Sequence, residues 1–149
     1  MKQALEQWVP NLHEPGSGRF SGGLPPVDGL VEMARVGMRT LIDLRPSSEW
    51  AGTDWRSAVE ASGMAFYQLP VDSVDDIDRP RLKQLWGYWG DDTLCPMLIH
   101  CASGNRVGAA LALAAHRIDG QSPESALLLG EAAGLSHSRE QVMALLTSD

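Results

Sequence analysis

Cysteine, long apolar runs and positive charge are all in short supply in this sequence, and each shortage excludes a class of protein. Two cysteines among 149 residues are too few for the disulfide framework of a small secreted domain. The longest strongly apolar run, residues 107–115, is much shorter than the about 20 residues that a membrane-spanning helix needs. The first residues also lack the apolar core of a signal peptide. We therefore expect a cytoplasmic protein with no membrane partner, in which Cys95 and Cys101 are free thiols.

The 12 Lys and Arg residues are outnumbered by 19 Asp and Glu residues, which gives a formal net charge of −7. A net acidic protein repels a phosphate backbone, so nucleic acid is not expected as a main partner. The histidines show no metal-ligand spacing with one another or with the thiols, and no metal or other cofactor is predicted. The length predicts a single domain over residues 1–149, with residues 1–19 as a partly looped N-terminal extension. The oligomeric state stays open.

Short apolar runs alternate with helical patterns along the chain. This alternation is typical of parallel crossover connections, and it predicts an α/β fold whose central, mostly parallel sheet is flanked by helices. Strands are predicted at 40–44, 65–69 and 97–99, with a short edge strand at 20–23; helices are predicted at 26–36, 55–61, 80–89, 107–118, 123–133 and 138–146.

Polar residues follow three of these strands directly. They are Arg45, Asp72 and the pair His100 and Cys101. In open parallel sheets, ligands collect beyond the carboxyl ends of the strands. The sequence therefore predicts that these side chains meet at one functional site.

The segment that starts at His100 and Cys101 carries the most specific chemistry. A small, glycine-containing loop joins a strand to the N-terminus of an apolar helix, where inward-pointing backbone N–H groups and the helix dipole favour an anion. Arg106 adds a planar fork for two oxygens of that anion. The same positive field favours the thiolate form of Cys101, a nucleophile. The predicted anion-binding residues are Ala102, Ser103, Gly104, Asn105 and Arg106.

This segment resembles the phosphate-binding loop of cysteine-dependent phosphatases, which reads His-Cys, two residues, Gly, two residues, Arg. Gly104 is in register, but Arg106 arrives one residue early, and the shorter loop has the length seen in rhodanese sulfurtransferases. The chain also resembles a bacterial phosphatase-like family, some of whose members are fused to beta-lactamase-like hydrolases. That bacterial family is related to dual-specificity and tyrosine phosphatases, and its members carry a Cys-x-Ser-Gly-x-Arg loop. Residues 20–25, 37–45 and 132–135 are similar to three further segments of that family.

The resemblance implies a three-layer cysteine-phosphatase fold and a two-step hydrolysis of a phosphomonoester. Cys101 would form a phosphocysteine, Arg106 and the loop amides would stabilise it, and His100 would order the loop. Asp72, 29 positions before Cys101, is the expected general acid, with Asp75 and Asp76 as rivals. Val107 departs from the hydroxyl residue that usually follows the arginine in these phosphatases.

Several alternatives remain open at this stage. Arg45 is expected either to help bind the anion or to pair with Glu49. The short loop is also compatible with a sulfurtransferase that carries a Cys101 persulfide, or with a non-catalytic anion-binding module. The substrate is expected to be a phosphorylated small molecule or a phosphoprotein, and the sequence does not choose between them.

Overall fold

The structure, a computed structural model, describes residues 1–148, which form five strands and seven helices. The strands are β1 (His13–Gly16), β2 (Arg19–Gly22), β3 (Thr40–Asp43), β4 (Ala65–Gln68) and β5 (Met97–His100). The helices are α1 (Lys2–Leu5), α2 (Leu30–Arg35), α3 (Trp55–Ala61), α4 (Arg79–Trp89), α5 (Asn105–Arg117), α6 (Pro123–Ala132) and α7 (Arg139–Thr147). Each helix from α2 onward lies within about two residues of its predicted position, apart from the start of α2, where a short 3-10 turn covers Val27–Gly29.

The sheet has the strand order β1-β2-β5-β3-β4. β2, β5, β3 and β4 are parallel, and only the β1 strand runs antiparallel to its neighbour. The predicted mostly parallel sheet is therefore confirmed. Because β5 lies between β2 and β3, the segments that leave these two strands flank the loop that follows β5.

The N-terminal region differs from its prediction. The residues taken as a loop contain β1, which pairs with β2 as a hairpin, and the predicted edge strand β2 is an interior strand beside β5. Gly18 makes the tight turn with a φ of 70°. Phe20 of β2 is 1% exposed, and the Ser21 hydroxyl donates to the Ala133 carbonyl at 2.8 Å. The strand is too short for its sequence pattern to reveal neighbours on both sides.

Two apolar cores lie on the two faces of the sheet. One contains side chains of α4 to α7, and the other contains side chains of α1 to α3, so the fold has three layers as predicted. The apolar helix α5 approaches α6 so closely that a Cβ on Gly108 would overlap the backbone of Gly130 and Leu135. This contact anchors α5, and with it the loop that precedes its N-terminus. Within the described residues, no helix combines the length and the apolar character that crossing a membrane requires.

Candidate active site

Cys101 lies at the carboxyl end of β5, with 1% of its surface exposed. Its backbone N–H donates to the Gly22 carbonyl of β2 at 3.3 Å, which fixes the start of the loop. The N–H of Gly104 donates to the Cys101 Sγ at 3.0 Å. Gly104 has a φ of 102°, a conformation that a side chain would strain. The glycine thus allows the turn in which the loop folds back onto the sulfur.

The carbonyl groups of the loop are held by neighbouring segments. The Ala102 carbonyl accepts a hydrogen bond from the Leu24 N–H at 3.0 Å, and the Ser103 carbonyl accepts one from Asn11 Nδ2 at 2.9 Å. Because the C=O and N–H of a trans peptide point in opposite directions, the next N–H groups are turned away from these neighbours. That geometry directs the N–H of Gly104 at the sulfur.

The N–H groups of Ala102 and Ser103 donate to no other atom of residues 1–148. Both residues are exposed, and they precede the first turn of α5, whose N–H groups also lack intrahelical acceptors. Open amides beside a buried sulfur, at the positive end of a 13-residue helix, have the geometry that an oxyanion site requires, and anion binding by this loop stays a prediction. The predicted loop residues are therefore brought together around Cys101.

Arg106 is held by a bidentate ion pair that sequence reasoning missed. Its Nη1 and Nη2 donate to the two carboxylate oxygens of Glu49 at 2.8 and 2.7 Å, and Nη1 also donates to the Val71 carbonyl at 2.9 Å. The rest of the guanidinium lies close enough to Cys101 for the thiol to act as a side-chain hydrogen-bond partner. The pKa of Arg106 is raised, chiefly by the hydrogen bond to Glu49 and also by the nearby Cys101. The same hydrogen bond lowers the pKa of Glu49.

Arg45 is paired with Asp43 and not with the carboxylate of Glu49. Its Nε and Nη2 donate to the two oxygens of Asp43 at 3.1 and 3.0 Å, and both side chains are buried. Its only bond to Glu49 is a long one, 3.4 Å, from Nη1 to the backbone carbonyl. The alternative of an ion pair with Glu49 was wrong, because that carboxylate reaches across to Arg106. A role of Arg45 in anion binding stays a prediction.

His100 is fully buried behind the loop. Trp55 Nε1 donates to its Nε2 at 3.3 Å, which leaves the proton on Nδ1, 3.4 Å from the Cys101 carbonyl. Burial lowers the pKa of His100 to about 4, so the ring is neutral at pH 7. A neutral ring bonded to the loop backbone has the geometry expected of a residue that orders the nucleophile.

The acidic loop after β4 approaches the site through its first residues. Asp72 is exposed and directly follows Val71, whose carbonyl accepts from Arg106. The Asp75 carboxylate accepts instead from Gln141 Nε2 of α7 at 2.7 Å. Asp72 therefore lies near Arg106, because it directly follows the residue whose carbonyl Arg106 binds. Its role as general acid stays a prediction.

The Asn105 side chain serves the loop from outside. Its Oδ1 accepts from the N–H groups of Ser136 and His137 at 2.9 and 3.0 Å, and its Nδ2 donates to the Ser138 hydroxyl at 2.9 Å. Any contact of Asn105 with an anion would therefore use its backbone. Within residues 1–148, no cluster of three or more side chains is suited to hold a metal ion.

No family model and no curated protein matches the sequence. Solved structures do match. A candidate phosphatase of DUF442 from Shewanella putrefaciens superposes with a TM-score of 0.71 at 16% identity, covering 99% of this chain and 97% of its own. TpbA of P. aeruginosa, solved with phosphotyrosine, gives 0.65 at 17% identity over 94% of this chain and 88% of its own. The kinase associated phosphatase, with its catalytic-site cysteine replaced by serine, gives 0.70 at 13% identity over 91% and 92%.

These likenesses confirm the predicted cysteine-phosphatase-like three-layer fold. At such identities they show the fold alone, and the chemistry has to be argued from the residues of this chain.

Proposed function

We propose that the protein is a cysteine-dependent phosphatase that hydrolyses a phosphomonoester through a phosphocysteine intermediate. The observation that carries the proposal is the placement of the Cys101 sulfur beside hydrogen-bond donors of its own loop. The Gly104 N–H donates to Sγ of Cys101, the N–H groups of Ala102 and Ser103 have no acceptor among residues 1–148, and the Arg106 guanidinium lies near the sulfur. Such preorganised donors stabilise the charge on the equatorial oxygens of a transferring phosphoryl group.

In the first step, the Cys101 thiolate attacks phosphorus and the bond from phosphorus to the leaving oxygen breaks. Asp72, in its acid form, gives its proton to that oxygen. In the second step, a water molecule attacks phosphorus while the carboxylate of Asp72 takes its proton. The phosphorus–sulfur bond then breaks, inorganic phosphate leaves, and the thiolate is restored.

The proposed family and substrate class rest on the segments that resemble the bacterial family with the short Cys-x-Ser-Gly-x-Arg loop. We propose membership of that family, a single domain over residues 1–149, and action in the cytoplasm on a phosphorylated small molecule or a phosphoprotein. The likeness in fold to phosphatases, one of them solved with phosphotyrosine, supports a phosphorylated substrate.

A sulfurtransferase carrying a Cys101 persulfide is the second candidate. The short loop and Val107 favour it, because Val107 is buried and offers no hydroxyl to assist the departure of the thiolate. A terminal sulfur would also need fewer loop amides than a phosphoryl group.

Two assays on the purified chain separate these chemistries. One follows p-nitrophenyl phosphate hydrolysis, with rapid acid quenching to trap the phosphocysteine on Cys101; the other follows thiocyanate formation from thiosulfate and cyanide. Phosphate release with a trapped intermediate supports the proposal. Thiocyanate formation that is lost in Cys101→Ser, with no phosphatase activity, would replace it with the sulfurtransferase.

A further inference from the structure

A cavity of about 230 Å³ lies beside the candidate active site. Two segments line it: residues 24–27, which follow β2, and residues 45–55, which follow β3. Because β5 lies between those strands, the two segments meet alongside the loop that carries Cys101. The mechanism described above does not use this cavity.

We propose that the cavity binds the alcohol part of the substrate, and that this part is a small planar ring system with a hydrogen-bond acceptor on its edge. The inference rests on the proposed phosphatase function, because it assigns the leaving group of that reaction. It chooses a small phosphate ester over a phosphorylated side chain within a polypeptide.

The cavity and the anion-binding loop share their walls. Leu24 lines the cavity and donates its N–H to the Ala102 carbonyl of the loop. The 3-10 turn Ser47–Trp50 contributes to both the loop site and the cavity. Its Glu49 binds Arg106, and the next residue, Trp50, lines the cavity. A leaving group in the cavity would therefore lie next to a phosphoryl group held by the loop.

The aromatic walls are rigid. The Trp50 indole N–H donates to Asp43 Oδ2 at 3.1 Å, and its ring packs edge-on against Phe66. Trp55 is held by its hydrogen bond to His100 and by the guanidinium of Arg45, 5.4 Å from its ring centre. Trp55 is only 3% exposed, so the half-buried Trp50 provides the accessible aromatic surface of the cavity, and a fixed ring binds a flat ligand with little loss of side-chain entropy.

The polar side of the cavity, formed by Arg45, suits a neutral hydrogen-bond acceptor on the ligand better than a second negative charge. Asp43 already neutralises Arg45, whose Nη1 has only the long 3.4 Å bond to the Glu49 carbonyl and therefore has donor capacity to spare. The volume of about 230 Å³ is below the ~300–1,000 Å³ of sites for drug-sized ligands. A group of one or two rings suits such a site better than a peptide segment.

The test fills the cavity and measures substrate selectivity. Thr53 is an exposed lining residue, and Ala61 is exposed on α3 outside the lining, so Thr53→Trp and Ala61→Trp are a matched pair. We compare kcat/KM for 2-naphthyl phosphate with kcat/KM for glycerol 2-phosphate. Thr53→Trp is expected to lower this ratio by about tenfold or more, the equivalent of losing one buried ring contact. Ala61→Trp is expected to leave the ratio unchanged, and an equal ratio in all three proteins would overturn the inference.

A binding measurement keeps the inference separate from the proposed function. Quinolin-6-ol and 2-naphthol differ by one ring nitrogen acceptor, and both are titrated by fluorescence or NMR into the Cys101→Ser protein. Quinolin-6-ol is expected to bind about two- to tenfold more tightly, the range of one neutral hydrogen bond, and Thr53→Trp is expected to abolish both signals.

The results of the turnover and binding experiments together distinguish failure of the proposed function from failure of the cavity assignment. Ring binding that Thr53→Trp abolishes, without any phosphatase turnover, would reject the proposed function and keep the cavity as a ring-binding site. Turnover without any effect of Thr53→Trp would keep the phosphatase and reject the cavity. A tyrosine-phosphorylated peptide turned over faster than 2-naphthyl phosphate would reject the choice of a small ester.

Discussion

Two arginines follow neighbouring strands at the same edge of the sheet, and their surroundings are opposite in kind. Arg45, which follows β3, is buried: Asp43 binds its Nε and Nη2, and Trp55 packs against its guanidinium. Arg106, which follows β5, is bound by Glu49 and by the Val71 carbonyl, and it lies near the Cys101 thiol. Arg45 is paired within its own segment and keeps only Nη1 for the cavity, whereas Arg106 lies beside a loop whose amides are open.

The two arginines differ because their carboxylate partners lie at different distances along the chain. Asp43 lies two residues before Arg45, so the pair closes on itself and is buried with the strand end. Glu49 approaches Arg106 from a neighbouring segment and orients the guanidinium without covering it. An arginine with a distant partner is thereby both fixed in place and available to a ligand, which is the condition for preorganised catalysis.

The largest effect is expected at the nucleophile. Cys101→Ser should lower kcat by about a thousandfold or more, because a hydroxyl without a base is a poor nucleophile toward phosphorus. Steady-state assays with p-nitrophenyl phosphate measure this loss, while phosphate binding should persist. Cys95→Ser is the matched control and should keep its activity; equal losses in both variants would show that Cys101 has no special role.

Exchanging the two arginines for lysine tests the comparison directly. Arg106→Lys should lower kcat by about 10²–10³-fold, since a point charge cannot replace the bidentate fork. Arg45→Lys should instead lower the free energy of unfolding by about 1–3 kcal/mol, because Asp43 loses hydrogen bonds in a buried network. Assays and denaturant titrations of both variants are needed. A kcat loss in Arg45→Lys as large as in Arg106→Lys, without destabilisation, would contradict the comparison.

The general acid should show itself in the pH profile. Asp72→Asn should lower kcat by about a hundredfold for substrates with poor leaving groups and should remove the dependence on a protonated acid. Rate–pH profiles with phenyl phosphate and with p-nitrophenyl phosphate measure this. Asp75→Asn and Asp76→Asn are the controls, and if either of them shows the effect in place of Asp72→Asn, our assignment of the acid is wrong.

A smaller effect on rate is expected at the carboxylate that orients Arg106. Glu49→Gln keeps the shape of the side chain but removes the charge-assisted hydrogen bonds, which are worth about 1.5–3 kcal/mol in general. The pair is partly exposed, so we expect the lower end, about a tenfold fall in kcat. Glu60→Gln, on the exposed face of α3, should have no effect. If Glu49→Gln lowers the free energy of unfolding and leaves kcat unchanged, Glu49 has a structural role only.

The buried histidine behind the loop should make the stability of the protein depend on pH. Its pKa is lowered from 6.5 to about 4 on folding, so between these values the unfolded chain binds the extra proton. Stability is therefore complete above pH 6.5 and is lost as the pH falls toward 4, by about 2 kcal/mol at pH 5. Denaturant titrations at pH 7 and pH 5 should show this loss reduced in His100→Gln and retained in His137→Gln. Equal pH dependence in all three proteins would contradict a buried neutral His100.

The accuracy of the sequence predictions varied with the length of the pattern behind them. The helices from α3 onward and strands β3, β4 and β5 were predicted close to their observed bounds, because their apolar periods are local. β2 was also predicted within one residue of its bounds but at the edge of the sheet, and β1 was not predicted, because a four-residue strand containing glycine and proline pairs according to its neighbours. The candidate anion-binding loop can be recognised in the sequence because its glycine, cysteine and arginine are close together, whereas the pair between Glu49 and Arg106 spans 57 residues.

The sequence alone was enough to place a cysteine, a glycine turn and an arginine in one short segment at the start of an apolar helix. Tertiary structure alone decided which carboxylate orients which arginine, since that depends on β5 lying between β2 and β3. It also decided that a ring-sized cavity adjoins the loop, because its walls come from segments separated along the sequence. The reason is physical: turn and helix preferences act between neighbours in the chain, while ion pairs and cavities form between segments that only packing of the sheet brings together.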